Sequence, residues 1–226
     1  MTRRKWALPR RLFLLALFLA LPSIACAQDD EPPGRRPIGL FAADARLAFP
    51  GFEQDIATAD RLGVTTANLP GRGYGLVFGA HVYPLRMRVA TLGIGGEVMA
   101  SRGTRTLEPA EDGGVEGPTV RTRFSAISPQ VSLNFGASEG WSYVSAGMGS
   151  ARYSVEREDL TALATEDAPR RRTLNYGGGA RWFRNEHLAF SIDLRFYSVG
   201  AQAATATQPD LPKMRRVVMS AGLSFK

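Results

Sequence analysis

Eight stretches of this chain alternate apolar and polar residues, and the gaps between them run long, short, long, short. The alternation is clearest over residues 188–199. There Leu188, Phe190, Ile192, Leu194 and Phe196 fall on one parity, and Ala189, Ser191, Asp193, Arg195 and Tyr197 on the other. A period of two sends such sets to opposite faces of a sheet. Residues 213–225 repeat it, with Val217, Met219, Ala221, Leu223 and Phe225 against Val218, Ser220, Gly222 and Ser224. Further runs are predicted over 39–50, 72–83, 88–102, 121–135, 141–153 and 172–183, those at 141–153 and 172–183 being glycine-rich and weaker in pattern. Each is about the 9–11 residues that a tilted strand needs to cross hydrocarbon, with some overhang. Pro129, inside the fourth run, predicts a bulge, because proline cannot donate to a ladder.

The gaps 51–71, 103–120, 154–171 and 200–212 are long, and 84–87, 136–140 and 184–187 are short. Long loops at one end and tight turns at the other are the pattern of an all-β, eight-stranded antiparallel up-and-down transmembrane β-barrel, with both chain ends on the periplasmic side. Helical turns are expected at 55–62 and 159–164, both too short to be stable alone.

Parity also separates a wet face from a dry one. Asp44, Arg46, Glu97, Arg181, Asp193 and Arg195 lie opposite the apolar rows. Three acids and three bases in a dry soluble-barrel cavity would be costly. In the narrow lumen of an eight-stranded membrane barrel they can pair with one another, which predicts a plugged, salt-bridged interior in place of an open pore.

The N-terminus changes the charge picture. Arg3, Arg4, Lys5, Arg10 and Arg11 precede a ten-residue apolar run at 12–21, and Ala25-Cys26-Ala27 follows as an A-x-A site. Residues 1–27 read as a cleaved signal peptide, 28–37 as a flexible periplasmic leader, and 38–226 as the barrel. The signal holds five of the 28 Lys+Arg and none of the 21 Asp+Glu, so the mature net charge is +2 in place of +7. That removes the case for nucleic-acid binding. Cys26 is the single cysteine; a lipoprotein reading would make it the lipidated first residue, against Ser23 where an aliphatic residue is usual.

The signal peptide, eight alternating runs, loop rhythm and aromatic-ended last run together resemble the OmpA/OmpX-like eight-stranded outer-membrane β-barrel superfamily, over essentially 38–226. The resemblance implies a bare barrel without a periplasmic domain, the cell outer membrane of a Gram-negative-type bacterium as its location, and the barrel-assembly machinery as its partner during biogenesis. That machinery reads a terminal aromatic residue; here Phe225 is followed by Lys226.

A collar of arginines stands at the extracellular ends of the runs on outward parity: Arg72, Arg102, Arg121, Arg123, Arg152, Arg172 and Arg215. Planar guanidinium groups bind phosphate bidentately, which suits lipopolysaccharide; long basic side chains also snorkel at any membrane interface. Trp182, Phe135 and Phe225 near the periplasmic end, and Tyr74, Phe49 and Phe196 near the outer end, fit interfacial girdles.

Catalytic chemistry has little to stand on. The two histidines are His81, on lumen parity, and His187, in a short turn, and neither lies in a His-x-Ser arrangement. His81 reads as a lumen residue hydrogen-bonded to polar neighbours, and Glu97 could orient it. No metal-ligand spacing, cofactor motif or phosphate loop is present, so no catalytic residue, metal or cofactor is expected. Three functions compete: a structural, surface-interaction or adhesion barrel with an unknown extracellular partner, a lipid A-modifying enzyme, and a small pore. The loop with Glu108, Glu111, Asp112 and Glu116 is solvated in composition.

Overall fold

The structure, a computed structural model, describes residues 36–109, 116–160, 168–203 and 211–226. Eight antiparallel strands close into one barrel in chain order. They are β1 (Phe41–Pro50), β2 (Tyr74–Arg86), β3 (Thr91–Thr106), β4 (Thr119–Ala137), β5 (Gly140–Arg157), β6 (Arg171–Phe183), β7 (Leu188–Val199) and β8 (Met214–Phe225). Pairing of β1 with β8 removes every free sheet edge. Residues 1–27, most of 28–37, Glu111, Asp112 and 161–164 lie outside the described residues.

The seventh run and β7 have the same bounds. By contrast β3, β4 and β5 rise higher at the extracellular end than their patterns indicate, with Thr106 paired to Thr119 and Val120 to Arg157. Their outward positions there are Thr104, Arg121, Arg123, Arg152 and Ser154. The apolar half of the alternation stops while the hydrogen-bond ladder continues.

Pro129 makes no bulge. The β3–β4 register runs unbroken through it, opposite Gly96, and the β4–β5 ladder skips Ser128 and Pro129 but resumes in the same register. A missing N–H on the β5 side interrupts a ladder without adding a residue. The register shift falls instead between Val82 and Leu85 of β2, at Pro84 beside the periplasmic turn. In the β6–β7 turn, the Asn185 side chain accepts from the backbone N–H groups of His187 and Leu188 at 2.9 and 2.8 Å, the usual use of Asn in tight turns.

The first long loop carries the expected helix, α1 (Ile56–Leu62). Asp55 caps it by accepting from Thr58 N at 2.8 Å, and Gly63 ends it at a φ of 61°. Such a short helix needs tertiary support, and finds it: Ala59 and Leu62, with Leu69, pack against Val120 of β4 and Val155 of β5.

The two faces of the sheet are inverted relative to a soluble protein. Leu47, Phe78, Val98, Val131, Val144, Ile192 and Met219 face outward and are exposed, while the polar parity is buried. A continuous exposed apolar band around a closed barrel is what hydrocarbon surroundings require. Inside, side chains are stacked in tiers. Ile38, Tyr83 and Trp141 form a periplasmic floor. The charged residues lie above it. Met99, Phe124, Tyr197 and Val218 make an apolar tier toward the extracellular mouth.

Candidate functional site

The six charged lumen residues converge, and each is no more than 6% exposed. Four of them close a ring of alternating sign. Arg46 reaches Glu97 at 2.5 Å and Asp193 at 3.3 Å; Arg195 reaches the same two acids at 3.5 and 2.9 Å. The ring ties β1, β3 and β7 together across the lumen. The other two form a bidentate pair: Arg181 Nη2 and Nε donate to the two oxygens of Asp44 at 2.6 and 3.0 Å, and Ser224 also donates to Asp44.

Two tyrosines complete the network. Tyr143 donates to Asp193 at 2.9 Å, and Tyr197 donates to Glu97 at 2.8 Å. Tyr143 has room because Gly179 lies opposite: a Cβ there would sit 2.7 Å from the phenolic oxygen. Three acids against three bases leave the ring and the pair neutral. Most of their hydrogen-bonding capacity is met by neighbours, Arg46 Nε and Arg195 Nη1 excepted, which offsets the desolvation cost of burial. Tyr143, Tyr197 and Ser224 were not singled out as partners in the sequence, although all have lumen parity.

Glu97 does not orient His81. Its oxygens are taken by Arg46, Arg195 and Tyr197, and among the described residues neither ring nitrogen of His81 has a hydrogen-bond partner. His81 is enclosed in the lumen, away from the lipid face. His187 is exposed in the β6–β7 turn.

Two further arginines point inward near the extracellular mouth. Arg216 lies over the rings of Phe52 and Tyr153, at 5.5 and 4.3 Å from their centroids, a cation–π sandwich. Arg171 donates to the carbonyls of Gly200 and Pro212 at 3.3 and 2.9 Å. The signal for them is the doublets Arg171-Arg172 and Arg215-Arg216, because neighbours on a strand face opposite ways.

The seven collar arginines all lie on the outer surface. Arg102 and Arg123 are cross-strand partners, and Arg121 is two residues above Arg123 on the same face. Arg152 stands opposite Ser125, and Arg172 opposite Ser150. These five make an arc over β3–β6. Arg170, missed in the sequence because it precedes the strand, joins the arc by donating to Ser150 Oγ at 3.4 Å. One acid belongs to it: Glu156 is the cross-strand partner of Arg121. Arg102 also donates to the Tyr74 hydroxyl at 2.8 Å, with its guanidinium 5.0 Å from that ring's centroid. Arg72 adjoins the Arg102 end of the arc, its backbone beside Gly103, and Arg215 stands apart on β8.

No family model matches this sequence, and no curated protein does. Solved structures do. Neisserial surface protein A (NspA) is 15% identical, with 83% of this chain and 97% of that one covered and a TM-score of 0.52. The attachment invasion locus protein Ail of Yersinia pestis, solved with the heparin analogue sucrose octasulfate, is 14% identical over 82% of this chain and 99% of that one, at a TM-score of 0.39. The Escherichia coli outer membrane protease OmpT is 9% identical over 69% and 64%, at 0.38. The likeness to NspA is one of fold: this chain has the architecture of the eight-stranded outer-membrane barrels.

Proposed function

We propose that this chain is an outer-membrane barrel that works through its outer surface, in a structural, surface-interaction or adhesion role, and that its arginine arc binds the phosphates of lipopolysaccharide. The observation that carries this reading is the contrast between the blocked lumen and the open rim. A floor, a neutral charge network and an apolar tier fill the interior, which speaks against a conduit. The arc offers at least six guanidinium groups to the headgroup region, where charge-assisted hydrogen bonds to phosphate are strongest. The enclosed, unpartnered His81 gives a lipid-modifying reaction no base within reach of a lipid substrate.

The test has two readouts. Planar-bilayer recording of the purified barrel is expected to show no stepwise conductance; a stable open level would overturn the closed-barrel reading. Replacing Arg121, Arg123 and Arg172 together with Gln is expected to reduce lipopolysaccharide co-purification, with the difference from the unsubstituted barrel largest at low salt and shrinking as salt is raised. Unchanged co-purification would reduce the arc to snorkelling side chains.

A further inference from the structure

The outer surface of the barrel is not uniform. Across β4–β7 the apolar band sinks into a furrow of about 770 Å³. Its floor is made by small residues, Ala146 of β5 and Gly178 of β6. Val131 and Leu133 form one bank, and Leu194 and Phe196 the other. Tyr176 stacks on Phe196 with ring centroids 5.4 Å apart and planes within 17°, which stiffens the second bank.

The furrow lies directly below the arc. On β5 the outward residues descend from Arg152 through Ser150 and Met148 to Ala146, and on β6 from Arg172 through Leu174 and Tyr176 to Gly178. Four residues of strand separate Ser150 from Ala146, about 13 Å. That is close to half of a hydrocarbon core about 30 Å thick. A cationic tier at the headgroup boundary is thus joined to an apolar channel that reaches toward the bilayer midplane. Within that tier the Nε of Arg152 is covered and, among the described residues, meets no acceptor.

We infer that β4–β7 form a stoichiometric site for one phosphorylated, multiply acylated lipid of the outer leaflet. Arg123, Arg152 and Arg172 would hold its phosphate, Ser150 would supply a hydroxyl, and one acyl chain would lie in the furrow over Ala146 and Gly178. The inference rests on the lipopolysaccharide reading of the arc and adds to it a specific seat and a count. Charge complementarity selects this occupant: a second copy of the chain would bring its own arginine arc against this one, and like charges repel at close range.

The experiment is native mass spectrometry of the full purified barrel in detergent, with hexa-acylated diphosphoryl lipid A as the added probe. Gly178 accepts no side chain, since a Cβ would fall 2.6 Å from the Tyr143 carbonyl oxygen. Ala146→Phe fills the furrow from its exposed side instead, and Ala146→Leu replaces it if the Phe variant loses its heat-modifiable gel shift. One retained lipid per wild-type barrel is expected, and filling the furrow should lower retention by about tenfold, on the scale of one well-placed apolar contact surface. The triple Arg123→Gln, Arg152→Gln, Arg172→Gln variant should lower it at least as much. Millimolar inorganic phosphate should fail to displace the lipid.

If the arginine variant loses lipid while both Ala146 variants keep it, the furrow is overturned and the arc reading stands. If no variant changes retention, both fall. Release by inorganic phosphate alone would make the arc a simple anion site and overturn the seat. A dimer that disappears in Ala146→Phe would place a second copy in the furrow and overturn it likewise.

Discussion

The lumen and the rim both depend on arginine, yet the surroundings give the same side chain opposite work. Arg46, Arg181 and Arg195 are buried among carboxylates at hydrogen-bond distance, and the network closes on itself. Arg123, Arg152 and Arg172 lie on the outward face of the same sheet, bordered by serines. A buried charge that loses its partner has no water to turn to, so each inner arginine depends on its carboxylate. An outer arginine can be rehydrated when its neighbour is removed. The doublets Arg171-Arg172 and Arg215-Arg216 show the division within single residue steps: one member enters the barrel mouth and the other faces out.

This contrast can be broken most severely at Asp44. Asp44→Ala leaves Arg181 without its bidentate acceptor and is expected to cost about 3–5 kcal/mol. The double variant Asp44→Ala, Arg181→Met should recover most of that loss, because no unpaired charge remains. Urea unfolding in micelles, followed by tryptophan fluorescence, measures both; Trp141 reports directly, with its ring 5.7 Å from the Arg181 guanidinium. Equal destabilisation of single and double variants would mean that packing, and not charge pairing, holds the lumen.

The rim should behave in the opposite way. Arg121→Gln, Arg123→Gln and Arg172→Gln together are expected to shift unfolding by only about 0.5 kcal/mol, the ordinary scale of surface changes. A loss comparable to that of Asp44→Ala would erase the distinction between the two regions.

The smallest expected effect lies above the membrane, where β5 leaves the barrel. Arg157 donates from Nε and Nη2 to the two oxygens of Asp159 at 2.6 and 2.7 Å. These hydrogen bonds hold the Asp159 carboxyl below its ordinary range. A carboxylate depressed in the folded state stabilises above the unfolded Asp value, near pH 3.9, and that contribution disappears as pH falls through the lowered folded value. The protection of the Leu160 amide, which donates to the Arg157 carbonyl, measured as its exchange rate relative to an unstructured amide at the same pH, should fall below about pH 4 while lumen amides stay protected. A protection factor that does not change with pH in that window would show that the pair does not hold this end of the strand.

Legibility in the sequence follows the physics of each feature. The seventh run was readable to the residue because its outward positions are apolar from Leu188 to Phe196. The tops of β3–β5 were not, because outside hydrocarbon the outward face becomes polar and the period-two contrast disappears. The effect of Pro129 is not legible in the sequence, because one proline can either add a bulge or merely leave a ladder bond unmade, and only the partner strands decide which. The six lumen charges were legible from parity alone. Their pairing was not, since Asp44 and Arg181 are 137 residues apart and Tyr197 and Glu97 are 100 apart.

The sequence by itself therefore determined the strand number, the order of the hairpins, the end that carries the long loops and the face on which each strand residue lies. Each of these depends on local period and gap length, which travel with the chain. The tertiary structure decided which acid meets which base, which inward arginines are wrapped by aromatic rings, and where small residues on adjacent strands line up into a furrow. Those depend on the stagger of eight strands around a closed barrel, and closure brings together positions that no local pattern relates.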